Sequence, residues 1–218
     1  MLDALRDGRL QVTAAASLLE NSRLVEWIPK TKLFVPVPRD IFEYSIRRDV
    51  DPVFGRLICW ILFSAGAEFL VKGLCLVEGI KICTEKEVPE YPSNELKAWI
   101  PNYRKNWKHN GIVKVPNFGT IAGFLQNKKG GDPSHLKMLC DKKNASPEEE
   151  DLLFAGYDFL ARRIRNRDAH AYIPNVRDSH YSLVPDLFCN CFNLLVSWLP
   201  DGGETLNSWR GEAQAENL

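Results

Sequence analysis

Hydrophobic residues recur along this chain mostly at helical intervals. Leu153, Tyr157, Leu160 and Ile164 are spaced four, three and four apart, which at 100° per residue sets them on one side of an amphipathic helix. Ser146-Pro147-Glu148-Glu149 marks its start, combining a capping hydroxyl, a proline suited to the first turn and acidic residues near the positive end of the helix dipole. That helix is predicted to run toward Tyr172 and to stop before Pro174. Upstream, Asp51-Pro52 opens a long apolar helix that ends near Gly79. A last helix is expected from about Leu183 to Leu199, bounded by Pro185 and Pro200. The N-terminal pattern is weaker: a helix from Thr13 to Glu26 would have Leu18, Leu19, Val25 and Ile28 at only loosely periodic positions. Residues 29–40 contain three prolines and predict an extended linker or an edge strand. From 84 to 133, prolines and the Gly130-Gly131-Asp132-Pro133 turn break the chain, leaving room for short helices at 94–100 and 118–127.

These elements predict an all-α protein, an up-and-down helical bundle with an irregular, loop-rich middle. Its expected organisation is an N-terminal extension at 1–40 (a helix plus a proline-rich linker), a helical domain at 41–200 and a flexible tail at 201–218. Leu57 to Val77 is long enough to span a bilayer. Glu68 and Lys72 stand near its middle, and each charge at that depth costs roughly 2.5–3.5 kcal/mol on insertion scales. Glu four residues ahead of Lys is the favourable order for a pair on one helix face. A buried central helix of a protein outside the membrane accounts for the run better.

Composition narrows the function classes. With 45% hydrophobic and 26% charged residues the chain carries enough apolar mass for an ordinary core. Its 28 basic and 28 acidic side chains balance, which argues against coating nucleic acid through bulk charge and leaves a small basic site open. Six cysteines stand at 59, 75, 83, 140, 189 and 191. The opening residues are charged and mixed and do not read as a secretory signal, and Cys189 and Cys191 lack the spacing of a zinc knuckle. Reduced thiols, a cytoplasmic location, no metal and no cofactor are expected.

On the helix from Pro147, Arg162, Asn166 and His170 are each four apart and project roughly opposite the apolar stripe, with Arg165 between the two faces. Such a row can hold a phosphate on the arginine fork and move a proton on the histidine, or it can be a solvated polar face. Arg165-Asn166-Arg167-Asp168-Ala169-His170 resembles the R-N-x-x-x-H motif of the HEPN superfamily. Ala67-Glu68-Phe69-Leu70-Val71-Lys72-Gly73 is similar to that family's A-E-x-x-x-K-G signature on an earlier helix. The resemblance covers about residues 50–199. It implies a helical bundle that pairs as a homodimer, joins two motif copies in one cleft and cuts RNA without a metal. His170 would then transfer the proton, Arg165 clamp the phosphate and Asn166 orient it, with Glu68 and Lys72 as support. Many such proteins are toxins or phage-defence effectors, which points to a separate antitoxin or regulatory protein as a possible partner. The alternative is a non-catalytic HEPN module that binds a nucleotide or a protein.

Other residues extend the candidate site. Tyr172 completes R-x4-H-x-Y, a form similar to HEPN toxins silenced by modification of that tyrosine; a tyrosine closing the helix end explains it equally. Tyr103-Arg104-Lys105-Asn106-Trp107-Lys108-His109 interleaves aromatic and basic residues, so Lys105 and Trp107, together with Arg162, are candidates for RNA contact or for an exposed charged loop. His109, His135 and His180 have no partner at metal-ligand spacing and read as surface residues. Phe159, Arg162, Asn166 and His170 project away from the stripe and suggest a second buried surface, hence a dimer of twice the 24.8 kDa chain. Residues 3–40 could alternatively form a small DNA- or partner-binding element.

Overall fold

The computed structural model of the chain describes residues 2–49, 52–82, 133–165 and 178–215. Among them 76% are helical and 6% are in strands, so the protein is mainly α. In chain order the elements are α1 (Leu2–Asn21), β1 (Val25–Ile28), β2 (Leu33–Pro36), α2 (Arg39–Asp49), α3 (Pro52–Val77), α4 (His135–Lys143) and α5 (Pro147–Asp158). A π-helical turn, Phe159–Arg165, continues α5. Then come a short α6 (Asp178–Tyr181), a second π turn (Val184–Phe188) running into α7 (Cys189–Ser197), and α8 (Gly203–Ala215). The short helices expected at 94–100 and 118–127 lie outside the described residues.

α3 is the axis of the core. Trp60, Phe63, Ala67, Leu70, Val71 and Leu74 along it are buried, as are Leu153, Tyr157, Leu160 and Ile164 on α5 and its extension. α3 is long and apolar enough to cross a membrane, yet 61% of that stretch is buried within the protein. It ends as its glycine predicts: Gly79 takes φ +70°, and the Ile80 N–H reaches back to the Cys75 carbonyl at 2.7 Å, a closing bond that needs a left-handed residue.

The N-terminal segment is part of this core and not an appendage. α1 packs along α3 more extensively than any other pair of elements. The approach depends on small residues: a Cβ on Gly73 would sit 2.6 Å from a Val12 methyl and 2.8 Å from the Val12 nitrogen. α1 stops at Asn21, short of the expected Glu26, because the next residues follow a period of two. Val25 and Trp27 are buried while Glu26 is exposed, and β1 pairs antiparallel with β2, Trp27 opposite Phe34. β2 is the edge strand anticipated for residues 29–40.

Residues 201–218, expected as a flexible tail, instead carry α8. Its Leu206 is fully buried and Trp209 packs on the core. Asn207 receives the Trp27 indole N–H at 2.8 Å and donates to the Pro29 carbonyl at 3.1 Å. Lys32 pairs with Glu204 at 2.6 Å, and Arg210 and Arg9 pair with Glu20 and Glu212. These partners are far apart in sequence, so nothing local announces them.

Candidate functional site

The helix that leads to the motif is built as its sequence indicates. The Ser146 hydroxyl accepts the Glu149 N–H at 3.2 Å, the Glu149 carboxylate accepts the Ser146 N–H at 2.8 Å, and Pro147 occupies the first turn. α5 then widens. Over Phe159–Arg165 the backbone is π-helical, with i→i+5 bonds and more residues per turn than an α-helix. A projection at 100° per residue therefore fails beyond Asp158. Arg162 still emerges on the solvent side, with its side chain 56% exposed and ion-paired to Asp158 at 2.5 Å. Phe159 does not point away from the core as expected: its ring lies 5.2 Å from His180 and 5.9 Å from Phe188.

Arg165 is the last residue of the wide turn, and only its backbone is described. Asn166, Asp168, His170 and Tyr172, and the strip with Lys105 and Trp107, lie outside the described residues. Position can be given for the motif's approaches. Ile164 is buried one residue before it, and α6 begins at Asp178, eight residues beyond His170 in sequence, its His180 ring stacked edge-on against Phe159.

The helix that leads to Arg165 is bonded to α3. The Tyr157 hydroxyl on α5 donates to the Ala67 carbonyl on α3 at 3.1 Å; Ala67 is the first residue of the A-E-x-x-x-K-G match. Burial holds the Tyr157 phenol well above its ordinary range, so it stays a donor. One residue on, Glu68 and Lys72 form the expected pair, 2.7 Å apart, with side chains only 4% and 12% exposed. The pair lies on a largely buried face of α3, a structural setting with polar groups close to the motif helix.

His135, expected at the surface, is half-buried at the start of α4. Burial first, and then the nearby Lys72 ammonium, hold its imidazole below the ordinary range, while the Lys81 carbonyl opposes that shift. His180 is likewise half-buried, against Trp60 at 6.3 Å as well as Phe159. Cys59, Cys75, Cys140, Cys189 and Cys191 are free and buried. Burial pushes the thiols of Cys75, Cys140, Cys189 and Cys191 up to about 12, so they are poor nucleophiles at neutral pH. Among the described residues no group of three or more His, Cys, Asp or Glu is placed to hold a metal ion. The wide turn and the Tyr157–Ala67 bond have no signal in the sequence that separates them from an ordinary helix and an ordinary core tyrosine. Compared with protein-family models, curated proteins and solved structures, the chain matches none of them.

Proposed function

We propose that this chain is a metal-independent endoribonuclease of the HEPN kind, working in the cytoplasm as a homodimer in a toxin or defence system. The observation that carries this reading is the bond from Tyr157 to Ala67. It joins the helix that leads toward Arg165 to Ala67, the first residue of the Ala67–Gly73 match, so α5 packs on the helix that carries the other signature.

In this mechanism His170 takes the proton from a ribose 2′-hydroxyl, and the 2′-oxygen attacks the adjacent phosphorus. The bond to the 5′-oxygen breaks, and that oxygen is reprotonated as it leaves. Arg165 holds the charge that develops on the phosphate, and Asn166 orients the group. The nucleophile is already next to the phosphorus, so positioning costs little. The products are a 2′,3′-cyclic phosphate and a 5′-hydroxyl. Purified protein incubated with RNA in chelator should give fragments with those ends and should spare DNA. His170→Ala should lower the rate by about 10²–10⁴ without unfolding the bundle. Magnesium-dependent cutting of DNA, or full activity in His170→Ala, refutes the assignment.

A further inference from the structure

α2 was not anticipated from the sequence, and its outer face is unusual. Tyr44 is 70% exposed and Ile41 55%, the two most exposed of the large hydrophobic side chains among the described residues. They are three apart, and exposed Arg47 follows three further on, so the three form one stripe along the helix. Neither Tyr44 nor Arg47 has an ion-pair or ring partner among the described residues. Arg23, also exposed, donates to the Ser45 carbonyl at 3.2 Å, which sets a second guanidinium beside the tyrosine. α2 alone is charge-balanced. Arg56 reaches in from α3 to pair with Glu43.

Packed rings join the motif helix to the inner, buried side of α2. The Phe159 ring on the wide turn meets His180, His180 meets Trp60, Trp60 meets Tyr181 at 5.7 Å, and Tyr181 meets Phe42 at 5.1 Å. Arg39 covers the Tyr181 ring at 5.5 Å. This run of packed rings crosses from the motif helix to α2, whose Phe42 is buried two residues before the exposed Tyr44.

We propose that the outer face of α2 grips single-stranded RNA, with one base stacked on Tyr44 and the flanking phosphates held by Arg23 and Arg47. An exposed aromatic between arginines suits a splayed base and its backbone. A duplex hides its base faces and would gain nothing from Tyr44. The proposal rests on the ribonuclease reading for its purpose, but binding and cleavage can be tested apart.

The full-length protein would be titrated with a fluorescent, 2′-O-methylated single strand, which cannot be cut, in chelator, reading anisotropy. Tyr44→Ala should weaken binding about five- to a hundredfold, the usual worth of one stacked base, and Tyr44→Trp should restore it. Arg47→Glu should weaken binding and flatten its salt dependence, as loss of a phosphate contact does. Unchanged thermal melting in all three variants keeps folding out of the comparison. Equal binding by wild type and Tyr44→Ala, equal preference for duplex RNA, or self-association that Tyr44→Ala abolishes would each overturn the proposal. Cleavage of unmodified RNA is read separately: its absence together with Tyr44-dependent binding sinks the nuclease reading and leaves this surface standing.

Discussion

Asn193 on α7 closes on Phe34 with both ends of its side-chain amide. Its oxygen accepts the Phe34 N–H at 2.7 Å, and its nitrogen donates to the Phe34 carbonyl at 3.0 Å. β2 has one neighbour, β1, so the outward N–H and C=O of Phe34 would otherwise lack a strand partner. A single side chain stands in for a third strand there and blocks pairing with another chain.

Replacing Asn193 by Leu keeps the volume and removes both bonds. The Phe34 groups would be left without partners, at a cost of about 1–3 kcal/mol for the buried donor alone. Urea unfolding should show a lower midpoint with an unchanged slope. No change in midpoint would mean water replaces the amide without loss.

The Glu68–Lys72 pair makes a different prediction, because breaking a buried pair is worse than removing it. Glu68→Gln or Lys72→Met alone should cost about 3–5 kcal/mol, since each leaves a charge in a poorly solvated place. Glu68→Leu with Lys72→Met should cost less than either single change. If the double variant is the least stable, the pair contributes more than its own neutralisation.

Legibility followed the range of the interaction. The stripe Leu153, Tyr157, Leu160, Ile164, the capping box at Ser146 and the stop at Gly79 are local patterns, and all three stand in the fold. α4 had a readable cap in Ser134, whose hydroxyl accepts the Lys137 N–H at 3.1 Å, and a left-handed stop at Asn144, but it is nine residues long and has little periodicity. α8 has few apolar residues. It is held by Arg210 to Glu20 and Asn207 to Trp27, partners 190 and 180 residues away, and no window of sequence contains such pairs. Val25–Ile28 could be joined to a helix only while the alternation of Val25 and Trp27 went unweighted. The motif itself was readable as residues, but the π turn before it was not, because Phe159–Arg165 has an ordinary helical composition.

His135 predicts an acid-side loss of stability. Its imidazole is harder to protonate in the folded protein than at the ordinary value of 6.5, so the unfolded chain binds the extra proton first. The stability this group contributes is present above 6.5 and declines as pH falls through that value toward the depressed folded one. A positive charge would also stand at the N-terminal end of α4 beside Lys72, where the dipole opposes it. Thermal melting between pH 7.5 and 5 should show a fall that His135→Gln reduces. Equal slopes in the two proteins would place the acid sensitivity elsewhere.

The wide turn gives the last prediction. Regular α-helix is the lower-energy way to continue α5, and π turns persist mostly where they serve a site. The wider turn changes where Arg165 leaves the helix relative to the buried stripe. Arg162 is the residue to remove: it is largely exposed and its contact is a surface ion pair with Asp158, worth about 0–1 kcal/mol. Deleting it lets the backbone continue as an α-helix while Leu160 and Ile164, then three apart, still face the core. Thermal stability of the deletion should match or exceed that of the parent. RNA cleavage should fall by at least tenfold, because the motif then leaves the helix at a different angle. Arg162→Ala, which keeps the extra residue, should retain more activity than the deletion. Equal activity in the deletion and the parent would show that the turn is a tolerated insertion with no part in aiming the motif.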